Sequence, residues 1–492
     1  MLQGTPLTLL HTSPLICSFH PNHSLNSLRF FPVYSTWQLL ARGKKTSPEN
    51  SLQECGKRVK EKQSRDIDYE PRIRRKRVTG RVSQERLQAE IERFAQIGRT
   101  AEGGVTRLAF SPEERQAQQL MGELLAEAGL SVRTDAIGNL FARREGREAD
   151  LPVLMLGSHL DTVPNGGRFD GALGVIAGLE IMRVLQEQGI STRHPLEVVS
   201  FTGEESARFG TGTIGSRAML GTLNLERFLA SRDLHGISAA EAMRQVGLSP
   251  EKVTDAQRDP RQIAAFLELH IEQGRILETE QKAVGIVTDI ANSTRLAVQV
   301  IGRADHSGTT PMPLRKDALV AAAEMVLAVE ERVKALGEAP SVGTVGILHV
   351  EPCVMNVVPG KASLGIDIRD IDFERKARVV KGVKDRITAI AKQRGVEATI
   401  EVLGDGRPVA LSPVIIETMR QAAADLGIDA RIMVSGAGHD AMNLATVVPA
   451  GMIFVPSKEG RSHSHLEWTD FAAIPPGVEL LLETLLRLDR SL

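Results

Sequence analysis

The run Gly157-Ser158-His159-Leu160-Asp161-Thr162, followed by Asp170-Gly171, places one imidazole and two carboxylates within a dozen residues. Leu151 to Leu156 reads as a short buried strand. A strand continuing to His159 and Asp161 delivers both to one face, because side chains two apart point the same way. Asp170 follows in a glycine-rich turn, Asn165 to Gly171, where the backbone can bend back toward the same point. Imidazole nitrogen and carboxylate oxygen are the donors that a borderline divalent cation such as zinc accepts.

Three more apolar runs end in the same kind of residue. Leu196 to Phe201 leads into Thr202-Gly203-Glu204-Glu205, and Ala264 to Leu269 into His270-Ile271-Glu272-Gln273. Gly451 to Pro456 precedes Gly460-Arg461-Ser462-His463. In open α/β sheets, functional groups gather beyond the carboxyl ends of strands. Four such endings in one chain point to a metal site.

The blocks GSHLDTVPNGGRFDGALGV, TGEESARFGTGTIGSRAM, ELHIEQGRILE, GRADHSGTTPMPLRKDA, MNVVPG, DIRD, SGAGHDAMNLA and GMIFVPSKEGRSHS resemble the hydantoinase/carbamoylase amidase branch of the M20-type metallohydrolases. That branch includes N-carbamoyl-L-amino acid hydrolases, β-ureidopropionases and allantoate amidohydrolases. The resemblance runs from about Arg81 to the C-terminus. It implies two divalent cations per subunit, zinc first and manganese or cobalt as alternatives, bridged by Asp170 and completed by His159, Glu205, His270 and His463. His463 is preferred to His465 because the branch places its ligand in a Ser-His dipeptide. Asp161 would orient His159, and Glu204 would be the general base. His306 would stabilise the oxyanion. Gln273, Asn356, Arg369, Gly438 and His439 match positions that contact substrate, with Arg369 as the clamp for its carboxylate. Ser206 stands where relatives often have glycine, a change a small side chain should tolerate. The activity implied is hydrolysis of a linear carbamoyl or ureido C–N bond, on N-carbamoyl-L-amino acids first. Allantoate and then N-carbamoyl-β-alanine are the alternatives, and an M20 peptidase or aminoacylase is the reading from another class. Gly103 to Phe110 resembles the carbamoylase group in particular.

These residues need a scaffold. Ser83 and Ser111-Pro112 read as helix starts, the first helix carrying the apolar stripe Leu87, Ile91, Phe94 and Ala95. Ala172 to Gln188 reads as a buried helix whose N-terminus would face the metal carboxylates. Strands alternating with helices predict an α/β fold. Alternation along Lys361 to Asp370 puts Ala362, Leu364, Ile366 and Ile368 on one face, with Ser363, Asp367 and Arg369 on the other. The order strand-helix-strand-strand-helix-strand around it is ferredoxin-like in outline. The expected organisation is therefore a mixed-sheet, dinuclear-metal catalytic domain (80–291 and 404–492) with an inserted ferredoxin-like α+β lid and dimerisation domain (292–403).

Residues 1–79 differ in composition. No acidic residue precedes Glu49, and Arg72 to Arg77 is basic. The expectation is a disordered extension with weak organellar-targeting character. A net charge of −1 with 25% charged residues suggests no nucleic-acid partner. No apolar run approaches the ~20 residues of a membrane span. Of three cysteines only Cys353 lies in the region of resemblance, which suits a reducing, cytoplasmic setting. A homodimer acting on a small carbamoyl or ureido carboxylate is expected.

Overall fold

The computed structural model describes residues 82–492, all within one compact unit; the expected 1–79 extension lies outside them. Both predicted helix starts are realised. Gln84–Phe94 is capped by Ser83 and Pro112–Glu127 by Ser111, each serine oxygen accepting a first-turn N–H. Leu87, Ile91, Phe94 and Ala95 are buried, as their helical spacing requires.

The first six strands are β1 (Ser131–Thr134), β2 (Leu140–Arg144), β3 (Val153–His159), β4 (Leu196–Phe201), β5 (Ile263–Ile271) and β6 (Val284–Ile290). Next come β7 (Asn292–Ile301), β8 (Asp305–His306), β9 (Val342–Glu351), β10 (Val357–Val358), β11 (Lys361–Asp370) and β12 (Glu397–Asp405). The chain closes with β13 (Val409–Ala410), β14 (Ala430–Ser435) and β15 (Ala450–Val455). Among the described residues the large mixed sheet has nine strands, in the order β1-β2-β4-β3-β5-β15-β6-β13, with β14 also paired to β6.

The four apolar runs with functional endings are β4, β3, β5 and β15, four neighbours in this order. They are mutually parallel, so their carboxyl ends share one edge. Both faces of these strands are covered, which is why their sequences are continuously apolar. Leu154 and Leu156 pack into the core with helices Ala172–Glu187 and Ile474–Ser491. Val153 and Met155 face the opposite core with Phe201, Phe266 and Phe454. Truncating a fully buried leucine such as Leu156 to alanine costs about 2–5 kcal/mol.

A single residue, Ala291, separates β6 of the large sheet from β7, which opens a second sheet. This sheet is antiparallel, in the order β12-β7-β11-β9, and carries helices Ala318–Leu336 and Phe373–Arg394 on one face. The chain thus runs strand-helix-strand-strand-helix-strand, with β12 continuing to Asp405, beyond the boundary expected at residue 403. β11 alternates strictly, Ala362, Leu364, Ile366 and Ile368 lying under the helices. Among the described residues no helix covers the opposite face, which presents Ser363, Asp367 and Arg369. A separate two-stranded ribbon pairs His306 of β8 with Val357 of β10.

Candidate metal centre and active site

His159 is the last residue of β3, and its Nδ1 lies 3.0 Å from the Asp161 carbonyl oxygen. His270, near the end of β5, has Nδ1 2.9 Å from the Ile271 carbonyl oxygen. A carbonyl only accepts, so both rings keep a proton on Nδ1 and turn Nε2 toward Asp170, as a donor where the ring is charged and as a lone pair where it is neutral. The Nε2 atoms stand 3.7 and 3.2 Å from Asp170 Oδ1. A neutral ring's lone pair facing a carboxylate oxygen repels it unless a proton or a cation lies between them.

The other oxygen of Asp170 faces a second group. His463 Nε2 lies 3.4 Å from Asp170 Oδ2 and 3.2 Å from Glu205 Oε1. Donor atoms of His159, Asp170 and His270 all lie within 4.8 Å of one another, as do those of Asp170, Glu205 and His463. Bonds of about 2.1 Å at tetrahedral angles put ligand atoms about 3.4 Å apart. The separations of 3.2 to 3.7 Å therefore fit a divalent cation in each group, with Asp170 common to both.

A third group, Glu268, His270 and His439, is also close, but Glu268 and His270 are already engaged elsewhere. Glu268 accepts from Ser158 Oγ (2.7 Å) and Ala441 N (3.0 Å), and His270 Nε2 already faces Asp170.

Local backbone explains how these groups meet. Gly171 has φ +64°, and a Cβ there would lie 2.3 Å from His159 Cε1. Only glycine lets the Asp170 turn close onto the imidazole and enter the helix Ala172–Glu187. That helix directs its positive N-terminus at the site. Asp161 sits behind the cluster, fully buried, and accepts the backbone N–H groups of Glu204 (3.0 Å) and Glu205 (2.9 Å). One carboxylate thereby fixes the turn carrying the two glutamates. Glu204 reaches within 3.9 Å of His159 Nε2 yet belongs to neither three-residue donor group.

The charge balance also calls for cations. Burial, with Glu205, Asp440 and Asp161 nearby, pushes Glu204 well above the usual carboxylate range, although His159 opposes this. Burial would raise Asp170 too, but hydrogen bonds and charge from His270, His463 and His159 hold it well below its usual value. Asp170 and Glu205 together push His463 up to about 11. In the metal-free chain this imidazolium supplies the positive charge between the two carboxylates.

Of the other sequence candidates, Gln273 joins the cluster directly. Its Nε2 donates to Asp170 Oδ2 (2.8 Å) and Ser462 Oγ (3.3 Å). His439 is buried behind His270, with ring centroids 4.6 Å apart and Nε2 3.0 Å from Ser435 Oγ; burial, reinforced by His270, keeps its pKa well below the usual value. Gly438 is half-buried beside it.

Arg369, on the antiparallel sheet, reaches the segment that follows β14 of the large sheet. Nε and Nη2 donate to Asp367 (2.9 and 3.4 Å), and Nη1 donates to the Gly436 carbonyl (2.9 Å). His306 and Asn356 are exposed on the β8–β10 ribbon, with no hydrogen bond or ion pair to the cluster among the described residues. The N–H groups of Gly308 and Thr309 donate to His306 Nδ1 (3.0 and 3.2 Å), so its proton sits on the outward Nε2. His465 lies apart from the donor groups, near Asn165.

Sequence reasoning missed Glu467. It is buried and accepts from Phe169 N (2.9 Å), Asp170 N (3.1 Å) and Ser462 Oγ (3.0 Å), holding the turn that carries Asp170. Burial and the nearby Asp170 push its pKa up to about 7. Its only sequence signal was its place four residues after His463.

A model of peptidase family M20/M25/M40 matches residues 155–487. The chain is 46% identical over 407 residues to N-carbamoyl-L-amino acid amidohydrolase of Geobacillus stearothermophilus, covering 83% of this chain and 99% of that protein. It is 37% identical to ureidoglycolate hydrolase of Arabidopsis thaliana (82% of this chain, 86% of that one) and 37% identical to allantoate amidohydrolase of Bacillus subtilis (81% and 96%). Among solved structures, a hydantoinase/carbamoylase family amidase from Burkholderia multivorans superposes with a TM-score of 0.77 at 38% identity, covering 83% of this chain and 98% of the other.

Proposed function

Because the chain belongs to peptidase family M20/M25/M40, in its hydantoinase/carbamoylase amidase branch, we propose that it is a metal-dependent amidohydrolase acting on linear carbamoyl or ureido C–N bonds beside a carboxylate. N-carbamoyl-L-amino acids are the first substrate class, yielding amino acid, ammonia and carbon dioxide. The 46% identity to an enzyme of that name favours it over allantoate, and over N-carbamoyl-β-alanine. The observation that carries the reading is Asp170 set between two donor groups, with Glu204 uncommitted alongside.

His159, Asp170 and His270 would hold one cation, and Asp170, Glu205 and His463 the other, zinc being the first choice for this N/O donor set. Bound there, the cations supply an acidified water and a polarised substrate carbonyl. Glu204 takes the proton of the attacking water and returns it to the leaving nitrogen. His306 offers its Nε2–H to the oxyanion of the tetrahedral intermediate, with Asn356 beside it. Arg369 retains free N–H groups on its guanidinium and clamps the substrate carboxylate, while Gln273, Gly438 and His439 line the site.

His306 and Asn356 must be brought to the cluster by movement of the second domain, the proposed lid, or be lent to a neighbouring subunit of a homodimer. No helix among the described residues is long and apolar enough to cross a membrane, and a cytoplasmic location suits the reduced Cys353.

Ammonia release tests the proposal. Protein reconstituted separately with zinc, manganese and cobalt is offered N-carbamoyl-L-amino acids, N-carbamoyl-β-alanine and allantoate side by side. Preference for a carbamoyl amino acid is expected. Preference for allantoate would change the substrate but not the chemistry, and silence on all three with metals bound would move the protein to the peptidase branch.

A further inference from the structure

Resting on that reading, we propose that Glu114 is a positioning residue: a buried carboxylate, outside the metal cluster, that sets where the general base Glu204 stands. Neither the ligand set nor the substrate contacts involve it, and it belongs to the Gly103–Glu114 segment, which the mechanism above leaves without a role.

The argument begins where β4 ends. After Phe201 the chain leaves the sheet, so the next backbone N–H groups lose their ladder partners inside a buried region and must be satisfied otherwise. Four in succession are met by side-chain oxygens. Thr202 N donates to Asn139 Oδ1 (3.0 Å), and Gly203 N to Glu114 Oε1 (3.2 Å). Glu204 N and Glu205 N donate to the two oxygens of Asp161 (3.0 and 2.9 Å). Glu114 Oε1 also accepts the Thr202 hydroxyl at 2.5 Å. Gly203 has φ +62°, so the chain turns sharply at the residue Glu114 grips, immediately before Glu204.

Glu114 is itself rigidly placed. It lies in the first turn of helix Pro112–Glu127, its own N–H donating to Ser111 Oγ (3.1 Å). Its second oxygen accepts from Phe110 N, which fixes Phe110 at φ +55°. Arg107 supplies positive charge near both Glu114 and Asp161. Fully buried, it donates from Nε to the Leu160 carbonyl (2.8 Å) and from Nη1 to the Phe94 carbonyl (2.8 Å). Arg208, just beyond the glutamate pair, donates back to the carbonyls of Ala109 (2.8 Å) and Phe110 (2.9 Å). The segment Arg107 to Glu114 therefore grips the turn that carries Glu204 and Glu205 on both sides, and Glu114 is its contact closest in sequence to Glu204.

Two variants divide the roles of this carboxylate. Glu114→Gln keeps the shape but can no longer accept from both the catalytic turn and Phe110. Thr202→Val removes only the hydroxyl contact to the turn, leaving Gly203 N on Glu114, and retains the β-branched shape. Misplacement of a reacting group by about 1 Å costs about 100-fold. Expected is a fall in kcat of about 10- to 100-fold for Glu114→Gln and a smaller fall for Thr202→Val, with KM and metal stoichiometry retained.

A readout independent of turnover is amide hydrogen exchange in the metal-free full chain. Exchange at residues 203–205 should accelerate in both variants while the large sheet keeps its protection. Wild-type exchange at 203–205 in both variants overturns the proposal, and so does wild-type kcat in both. Should Glu114→Gln fail to fold, Thr202→Val decides alone. If the wild-type protein releases no ammonia from any substrate, the functional reading fails, and the exchange measurement still decides the role of Glu114.

Discussion

At the carboxyl edge of the large sheet, His159 and His270 are almost wholly buried, and every nitrogen of both rings faces a partner. On the β8–β10 ribbon, His306 and Asn356 are exposed, and among the described residues the imidazole is held only by two N–H groups of its own turn. The first region is built by packing: four strands, a glycine pressed against an imidazole and buried carboxylates under each turn. The second is exposed, and the proposed mechanism requires it to be brought to the sheet edge. A substitution at the sheet edge therefore mixes chemistry with metal binding and stability, whereas one on the ribbon reports on chemistry with little structural cost.

Five experiments can break or sharpen this contrast. The largest effect is expected from Glu204→Gln, with turnover falling about 10²- to 10⁴-fold while metal analysis still finds wild-type content. Loss of the metals would instead make Glu204 a ligand and Glu205 the base. Chelation comes next: a cation present at about 1,000 times its Kd contributes about 4 kcal/mol. Thermal unfolding should shift down on chelation and recover on adding zinc, and an unchanged Tm would remove the cations from the reading.

His306→Ala should lower kcat about 10²- to 10³-fold with metal content unchanged and Tm little changed, since the exposed ring accepts only from N–H groups of its own turn among the described residues. Arg369→Lys should raise KM about tenfold for carboxylate substrates, because lysine cannot reproduce the planar fork. Unchanged KM would make Arg369 a strut between Asp367 and the Gly436 carbonyl. The smallest effect is expected from Met355→Gln. Met355 is fully exposed next to Asn356, so stability should stay within about 0.5 kcal/mol in denaturant titration. A larger loss that depends on protein concentration would place this ribbon in a subunit contact.

Much of the fold was legible because its signals are local. Ser83 and Ser111-Pro112 announce helix starts through cap chemistry, and Lys361 to Asp370 declares its two faces by strict alternation. The four apolar runs with polar endings were legible too, since strands covered on both faces must be apolar throughout. Less could be read at Gln273, Glu467 and Glu114. Gln273 matched a substrate position, yet in the fold its amide donates to Asp170. Glu467 and Glu114 look like ordinary surface glutamates in the sequence, and their roles depend on partners far along the chain, Phe169 and Asp170 in one case and Thr202 and Gly203 in the other.

The sequence by itself determined the element types, the identity of the donor residues and their resemblance to one amidase branch, because these follow from residue type, period and spacing along the chain. Only the tertiary structure decided that β4, β3, β5 and β15 lie side by side with one shared carboxyl edge. It also decided how Asp170 divides its two oxygens between two donor groups, and it set His463, which the resemblance preferred to His465, against Glu205. These are distances between residues up to 293 positions apart (Asp170 to His463), set by strand order and by which backbone groups are left for buried carboxylates to satisfy.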